Sequence, residues 1–346
     1  MTAAKKLLLH VGGHKTGSTA IQMALMQARP QLGGMAIAYP DLRKAMFGGP
    51  ESNHNKLARA LAKPGLFNKF LLKRARRAID DQSKTADLTI ISSEAIVRHT
   101  LGAPDTHDNI AWTKAHNQYL SSLAAYLDGF DVSVLCYFRQ PEDIAISMFK
   151  EQVVRGRPAA RQTFANFLEG KFVHYDYPAR MASLERTFND VTYRSFDDAR
   201  KTGLVEGFLN GFCDAKIAGA KQSHVRISPS NKATLWLQAY INSDPLAMYR
   251  TRVLFALRDT EYLTDAEATT LWPDRDCLAN FMESFAGSYE IPFIRQPDLN
   301  ALPTKATLLE HEKTDADAAF IKWKAENAAL LARRKALGLP FFAPDP

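Results

Sequence analysis

The stretch Lys6-Leu7-Leu8-Leu9-His10-Val11-Gly12-Gly13-His14-Lys15-Thr16-Gly17-Ser18-Thr19 decides how this chain is read. Its first half is an apolar run of strand length and its second half a Gly-rich turn. Beyond it, Ile21, Ala24, Leu25 and Ala28 fall on one helical face. Strand, Gly-rich loop and helix make the anatomy of a phosphate cradle. Glycines let backbone N–H groups turn inward, and the helix N-terminus adds partial positive charge. The nucleotide-triphosphatase form reads G-x-x-x-x-G-K-[ST]. Gly12 and Gly17 keep that spacing and Thr19 takes the Ser/Thr place, but Ser18 stands where the lysine belongs. The lysine has moved inside the loop as Lys15, where it sits over a nearer group, as a cradle for one phosphate and its leaving bond needs. Taken alone, the same residues also describe a plain Gly-rich turn with an exposed lysine.

Working outward, three more aliphatic or β-branched runs follow: Leu88–Ser92, Val132–Phe138 and Val191–Ser195. Their near-continuous apolar character reads as parallel strands covered on both faces. Helical patterns lie between them, at Leu57–Leu61, Phe67–Ile79, Asn117–Leu127 and Ile144–Val153. This alternation predicts an α/β fold, a P-loop-like doubly wound parallel sheet flanked by helices. After Ser195 the pattern turns mostly helical, at Leu204–Cys213, Lys232–Asn242 and Cys277–Tyr289. With no Gly/Ser linker and no repeat, the expected organisation is an α/β domain over residues 1–300 and a helical C-terminal extension over residues 301–346. That extension reads as a charged, alanine-rich helix from Asp315 to Ala336. Its Phe320, Trp323, Ala328 and Leu331 could pair two copies of the chain or pack back on their own domain.

Composition bounds the function classes. The 346 residues are 46% hydrophobic and 23% charged, which excludes a disordered chain, a collagen or a coiled-coil rod. No run approaches the roughly 18 apolar residues of a membrane span. The N-terminal Leu7-Leu8-Leu9 is cut short by His10 and two glycines, so it reads as a strand and not as a secretion signal. Cys136, Cys213 and Cys277 are widely spaced with no C-x-x-C pair, which fits a reducing cytoplasm. A net charge of +7 suits an anionic partner: a nucleic acid, a nucleotide, or a sulfated or phosphorylated substrate.

Ligands of open α/β sheets sit beyond the carboxyl ends of the strands. The second run ends Ser92-Ser93-Glu94, which puts an acid beside the Gly-rich loop if the two strands are neighbours. The third ends Tyr137-Phe138-Arg139, and Gln140-Pro141 then opens a helix holding Glu142, Asp143 and Ser147. Those two acids neutralise that helix's own dipole. An anion there would be held by the Arg139 fork and the Ser147 hydroxyl. A structural ion pair for Arg139 and a surface role for Glu94 are the plainer readings. His10 and His14 share no helix face, so no metal site is expected, and no G-x-S-x-G elbow occurs. The basic stretch Lys69, Lys73, Arg74, Arg76 and Arg77 could meet an acidic glycan or simply be a solvated face.

Leu9 to Gln22 resembles the 5′-phosphosulfate loop of sulfotransferases that use 3′-phosphoadenosine 5′-phosphosulfate (PAPS), with Lys15 at the loop lysine. Tyr137 to Ser147 resembles their 3′-phosphate motif, an arginine followed eight residues later by a serine. The form is that of bacterial sulfotransferase-family proteins, and the similarity spans about residues 10–295. It implies a PAPS-dependent transferase acting on a hydroxyl or amine of a small-molecule or glycan acceptor, with no nucleic-acid partner and no metal requirement. It also implies donor binding by Gly13, Lys15, Thr16, Gly17, Ser18, Thr19, Arg139 and Ser147. Lys15 would be catalytic, and Glu94 would be the base that carbohydrate-type members use. The late Lys-Gly pair of the cytosolic enzymes has no evident counterpart. Two rivals remain open: a P-loop phosphoryl-transfer enzyme of kinase type, and a non-catalytic nucleotide or glycan binder.

Overall fold

The computed structural model describes residues 4–13, 15–47, 53–63, 65–102, 108–155, 157, 161–169, 174–214, 229–243, 269–326, 328 and 332. Contacts divide the chain into two compact units that interleave along the sequence. The first is Met1–Pro141, Gly170–Val225 and Phe285–Arg295; the second is Glu142–Glu169, Arg226–Ser284 and Gln296–Pro346.

The first unit is built on a five-stranded parallel sheet of order β2-β3-β1-β4-β5. Its strands are β1 (Lys5–His10), β2 (Ile37–Ala38), β3 (Leu88–Ser92), β4 (Phe130–Phe138) and β5 (Asp190–Ser195). The helices between them are α1 (Ser18–Gln27), α2 (Arg29–Gly34), α3 (Asn55–Ala62), α4 (Leu66–Gln82) and α5 (Asn109–Tyr126). Helix α6 (Pro141–Val154) and the short α7 (Phe164–Leu168) lead to α8 (Tyr177–Thr187), and α9 (Phe196–Thr202) follows β5 directly. The four expected strands are present, with β1 central. The fifth, β2, is only two residues long and carries too little pattern to be read.

The order explains the winding. The chain steps from β1 out to β2 in one direction, then returns through β3, β4 and β5 in the other. Right-handed crossovers put α1 and α2 on one face and α3, α4 and α5 on the opposite one. Period-2 alternation supplies both faces. Leu8, Leu88, Ile90, Leu135 and Tyr137 join α1 and α2 in one buried cluster. Their neighbours Leu7, Leu9, Ile91, Val134, Cys136 and Phe138 are equally buried.

The expected helix over Leu204–Cys213 is not formed; the segment is a chain of turns. Gly203 and Gly211 adopt φ of 100° and 82°, a left-handed backbone that ends any helix. The Arg194 guanidinium donates to the carbonyls of Gly207, Phe208 and Asn210, taking acceptors that a helix would have used. The apolar spacing that suggested a helix still packs: Val205, Phe208 and Leu209 complete the α1 face of the core.

In the second unit, α10 (Asn231–Ser243) packs against the helix Glu310–Glu326. Trp236 Nε1 donates to Asp317 at 2.9 Å, Lys232 pairs with Glu312, and Phe320 is buried against Trp236 and Tyr240. The Phe320 face of this helix is therefore covered by its own chain. The remainder of the expected helix, Leu331 included, lies outside the described residues apart from Ala328 and Ala332. Among the described residues, no helix is long and apolar enough to cross a membrane.

Candidate functional site

The loop after β1 runs along β4 before it turns. Val11 N–H donates to Leu135 O at 2.9 Å and Gly13 N–H to Tyr137 O at 3.2 Å, so the loop extends the parallel pairing past His10. This close approach sets the residue types. A Cβ on Gly13 would lie 2.7 Å from Tyr137 O, and one on Gly12 would lie 1.9 Å from Ser18 Oγ. Ser18, the residue in the usual lysine place, therefore fills the space left by the missing Gly12 side chain. Thr16, fully buried, donates its hydroxyl to Gly13 O at 2.8 Å and ties the turn shut.

Lys15 sits at φ 62°, a left-handed conformation that costs a non-glycine residue about 1 kcal/mol. Gly17, at φ 71°, caps α1. A Cβ on Gly17 would strike Leu204 and Phe196 within 3 Å. Helix α1 starts with no side-chain cap and no acid in its first turn, so the partial positive charge of its terminal N–H groups is uncompensated by its own residues.

Beneath the loop lies a buried polar floor. Ser92, at the end of β3, is in register with His10. Its Oγ is 2.8 Å from His10 Nδ1, accepts from Gln22 Nε2 at 3.1 Å, and shares a hydrogen bond with Tyr39. Ser92 N–H donates to His54 Nδ1 at 2.9 Å, so His54 carries its proton on Nε2 and donates to Pro40 O. Burial holds His10 neutral and drives its pKa down to about 3, and it drives His54 down to about 4. His10 Nε2 and Ser18 Oγ are both buried with no hydrogen-bond partner, and they lie 3.2 and 1.9 Å from where a Gly12 Cβ would stand. Two such unsatisfied groups at one spot mark a polar interior to the Gly-rich loop. Sequence reading missed this floor. His10 lay in the quoted stretch, but nothing local marks Ser92, Gln22 or His54 as its neighbours.

Glu94 leaves β3 beside β1, as the strand pairing requires: Ser93 N–H donates to His10 O at 2.9 Å. The Glu94 carboxylate is 28% exposed and lies 3.8 Å from the partly exposed Arg98 guanidinium, a long, solvated pair that restrains it weakly. Arg139, at the end of β4, is positioned through its backbone. Tyr177 donates its hydroxyl to Arg139 O at 2.5 Å, and Phe138 stacks on Tyr177 and Tyr193. The guanidinium lies 5.6 Å from the centre of the Phe196 ring, the same ring that Gly17 approaches. The structure thus gathers Gly12, Gly13, Thr16, Gly17 and Ser18 into one cradle and brings Arg139 to its Phe196 wall. Thr19 lies half-buried in the first turn of α1. Ser147 is buried on α6, in the second compact unit. His14 lies outside the described residues.

No family model matches this chain, and no curated protein matches it.

Proposed function

We propose that the protein is a sulfotransferase that moves a sulfuryl group from 3′-phosphoadenosine 5′-phosphosulfate to a hydroxyl or amine acceptor such as a carbohydrate. The observation that carries this reading is the occupancy of the loop interior. A triphosphate loop sends its lysine through that space toward the β- and γ-phosphates, whereas here Ser18 Oγ fills it against Gly12 and the lysine stands at the turn as Lys15. A single phosphate with a sulfuryl leaving bond matches this shorter cradle. The residues fit such a donor: uncompensated N–H groups at α1, an unpartnered buried hydroxyl at Ser18, and a guanidinium on the Phe196 wall.

The donor supplies an SO3 unit, which crosses with less charge than a phosphoryl group. The bond from sulfur to the bridging phosphate oxygen breaks as the bond from sulfur to the acceptor forms. Lys15 stabilises the charge that grows on the bridging oxygen, and the start of α1 cradles the 5′-phosphate. Glu94 accepts the proton that the acceptor loses. Arg139 binds the 3′-phosphate, and the resemblance pairs Ser147 with it.

Titration calorimetry tests the reading. Adenosine 3′,5′-bisphosphate should bind more tightly than AMP or ATP. Arg139→Ala should weaken the bisphosphate by about 1.5–3 kcal/mol, the scale of a charged hydrogen bond, and leave AMP unchanged. Equal losses for both nucleotides would sink the 3′-phosphate assignment. Preference for ATP together with a strict Mg²⁺ requirement would favour a phosphoryl-transfer enzyme.

A further inference from the structure

A surface on α4 takes no part in the proposed transfer. From Lys63 to Ile79 the sequence carries six cations and no acid. Arg76 is turned away onto Asp80 and the carbonyls of Tyr126 and Asp128. Lys63, Lys69, Lys73 and Arg77 are exposed. Beside them Leu66 is 87% exposed, Phe67 65% and Phe70 51%, although the helix buries its opposite face through Leu71, Ala75 and Ile79. The patch is also ordered. Arg74 lies 4.4 Å from the Phe47 ring centre and 5.5 Å from that of Phe70, and it donates to Lys44 O at 2.9 Å. This clamp holds Phe47, itself 62% exposed, alongside the helix.

Scattered exposed apolar residues are ordinary, but a contiguous group of large ones with a polar rim marks an interaction surface. The rim here is basic through Lys69 and Lys73 before Asp80 and Asp81 follow Arg77 at the far end of α4. We propose that this face docks the protein on an anionic lipid bilayer. Leu66, Phe67 and Phe70 are neighbours over the first two turns of α4, and Lys69, Lys73 and Arg77 run beside them at i, i+4 spacing. An acidic glycan or a nucleic acid would meet the cations and leave Leu66 and Phe67 in water. The interface of an anionic bilayer meets both sets, with headgroup phosphates for the lysines and the glycerol–acyl boundary for the apolar tips. The inference is independent of the reading of the Gly-rich loop.

Co-sedimentation of the full-length protein with vesicles tests it. The wild type should pellet with phosphatidylcholine vesicles containing phosphatidylglycerol, stay in solution with phosphatidylcholine alone, and release as salt rises. The Leu66→Ser/Phe67→Ser variant and the Lys69→Glu/Lys73→Glu variant should each lower partitioning at least about tenfold. Both should keep the wild-type circular dichroism and melting midpoint, because every altered side chain is exposed. An apolar variant that pellets like the wild type would overturn the proposal, since charge alone would then be the attraction. A wild type that ignores anionic vesicles would also overturn it, and retention of that protein on heparin would name an acidic glycan as the occupant.

Discussion

Helices α1, α6 and α9 follow β1, β4 and β5, and they begin differently. Helix α6 carries Glu142 and Asp143 in its first turn, and α9 carries Asp197 and Asp198 behind a Ser195 cap. Helix α1 has no acid there and no side-chain cap. An acid in the first turn is worth about 0.3–1 kcal/mol to its own helix, so α1 forgoes a stabilisation that the other two take. The difference teaches where an incoming anion finds its field: two of these helix ends are already neutralised by their own residues, and one is kept open. It also isolates Glu94, an acid at the end of β3 that precedes only a three-residue 3₁₀ turn and neutralises no α-helix.

The most severe way to sharpen this contrast is to test that isolated acid. Glu94→Gln keeps shape but cannot accept a proton, and turnover should fall roughly 10²–10⁴-fold with adenosine 3′,5′-bisphosphate binding unchanged. Wild-type turnover in this variant would return Glu94 to the surface acids.

Next in size comes the neutral floor under α1. Burial depresses the pKa of His10 to about 3 and that of His54 to about 4, against an ordinary 6.5. As pH falls below 6.5 the unfolded chain takes up protons that the folded chain refuses, so stability should drop toward about pH 4, where the folded state begins to protonate too. Near pH 5 the loss should reach about 2 kcal/mol per histidine. Denaturant titrations at a series of pH values measure it, and a flat profile across that window would mean that these histidines are not held neutral.

A milder perturbation gives α1 what its counterparts have. Thr19→Asp should weaken bisphosphate binding by about 1–2 kcal/mol, while the free protein melts no lower than the wild type because the acid suits its helix. Loss of binding with loss of stability would point to damage instead of charge. The smallest effect is expected for Ser18→Ala. Removing an unpartnered buried hydroxyl should leave the free protein as stable or slightly more so, and cost about 1 kcal/mol in bisphosphate binding. Unchanged affinity in that variant would make Ser18 a packing residue only.

Legibility in the sequence followed the range of the interactions. Strands β1, β3, β4 and β5 could be read because each carries its own apolar run, and the Gly-rich loop because its spacing is local. Strand β2 could not, since Ile37 and Ala38 are strand only by pairing with Leu88 and Thr89. The stretch Leu204–Cys213 misled because its apolar spacing is helical, while Gly203, Gly211 and the distant Arg194 decide the backbone. The floor of the candidate site stayed hidden for the same reason. Ser92 meets His10 across 82 residues, Gln22 across 70 and His54 across 38. Only the sheet order brings them together.

The fit of Ser18 Oγ into the space above Gly12 makes the two positions answer to each other. No side chain can appear at position 12 while the serine hydroxyl stands 1.9 Å from where its first carbon would be. A lysine at position 18, as in the triphosphate loop, would send a longer side chain through the space that the hydroxyl now fills. The glycine at position 12 therefore suits both loop types, and position 18 is where they part.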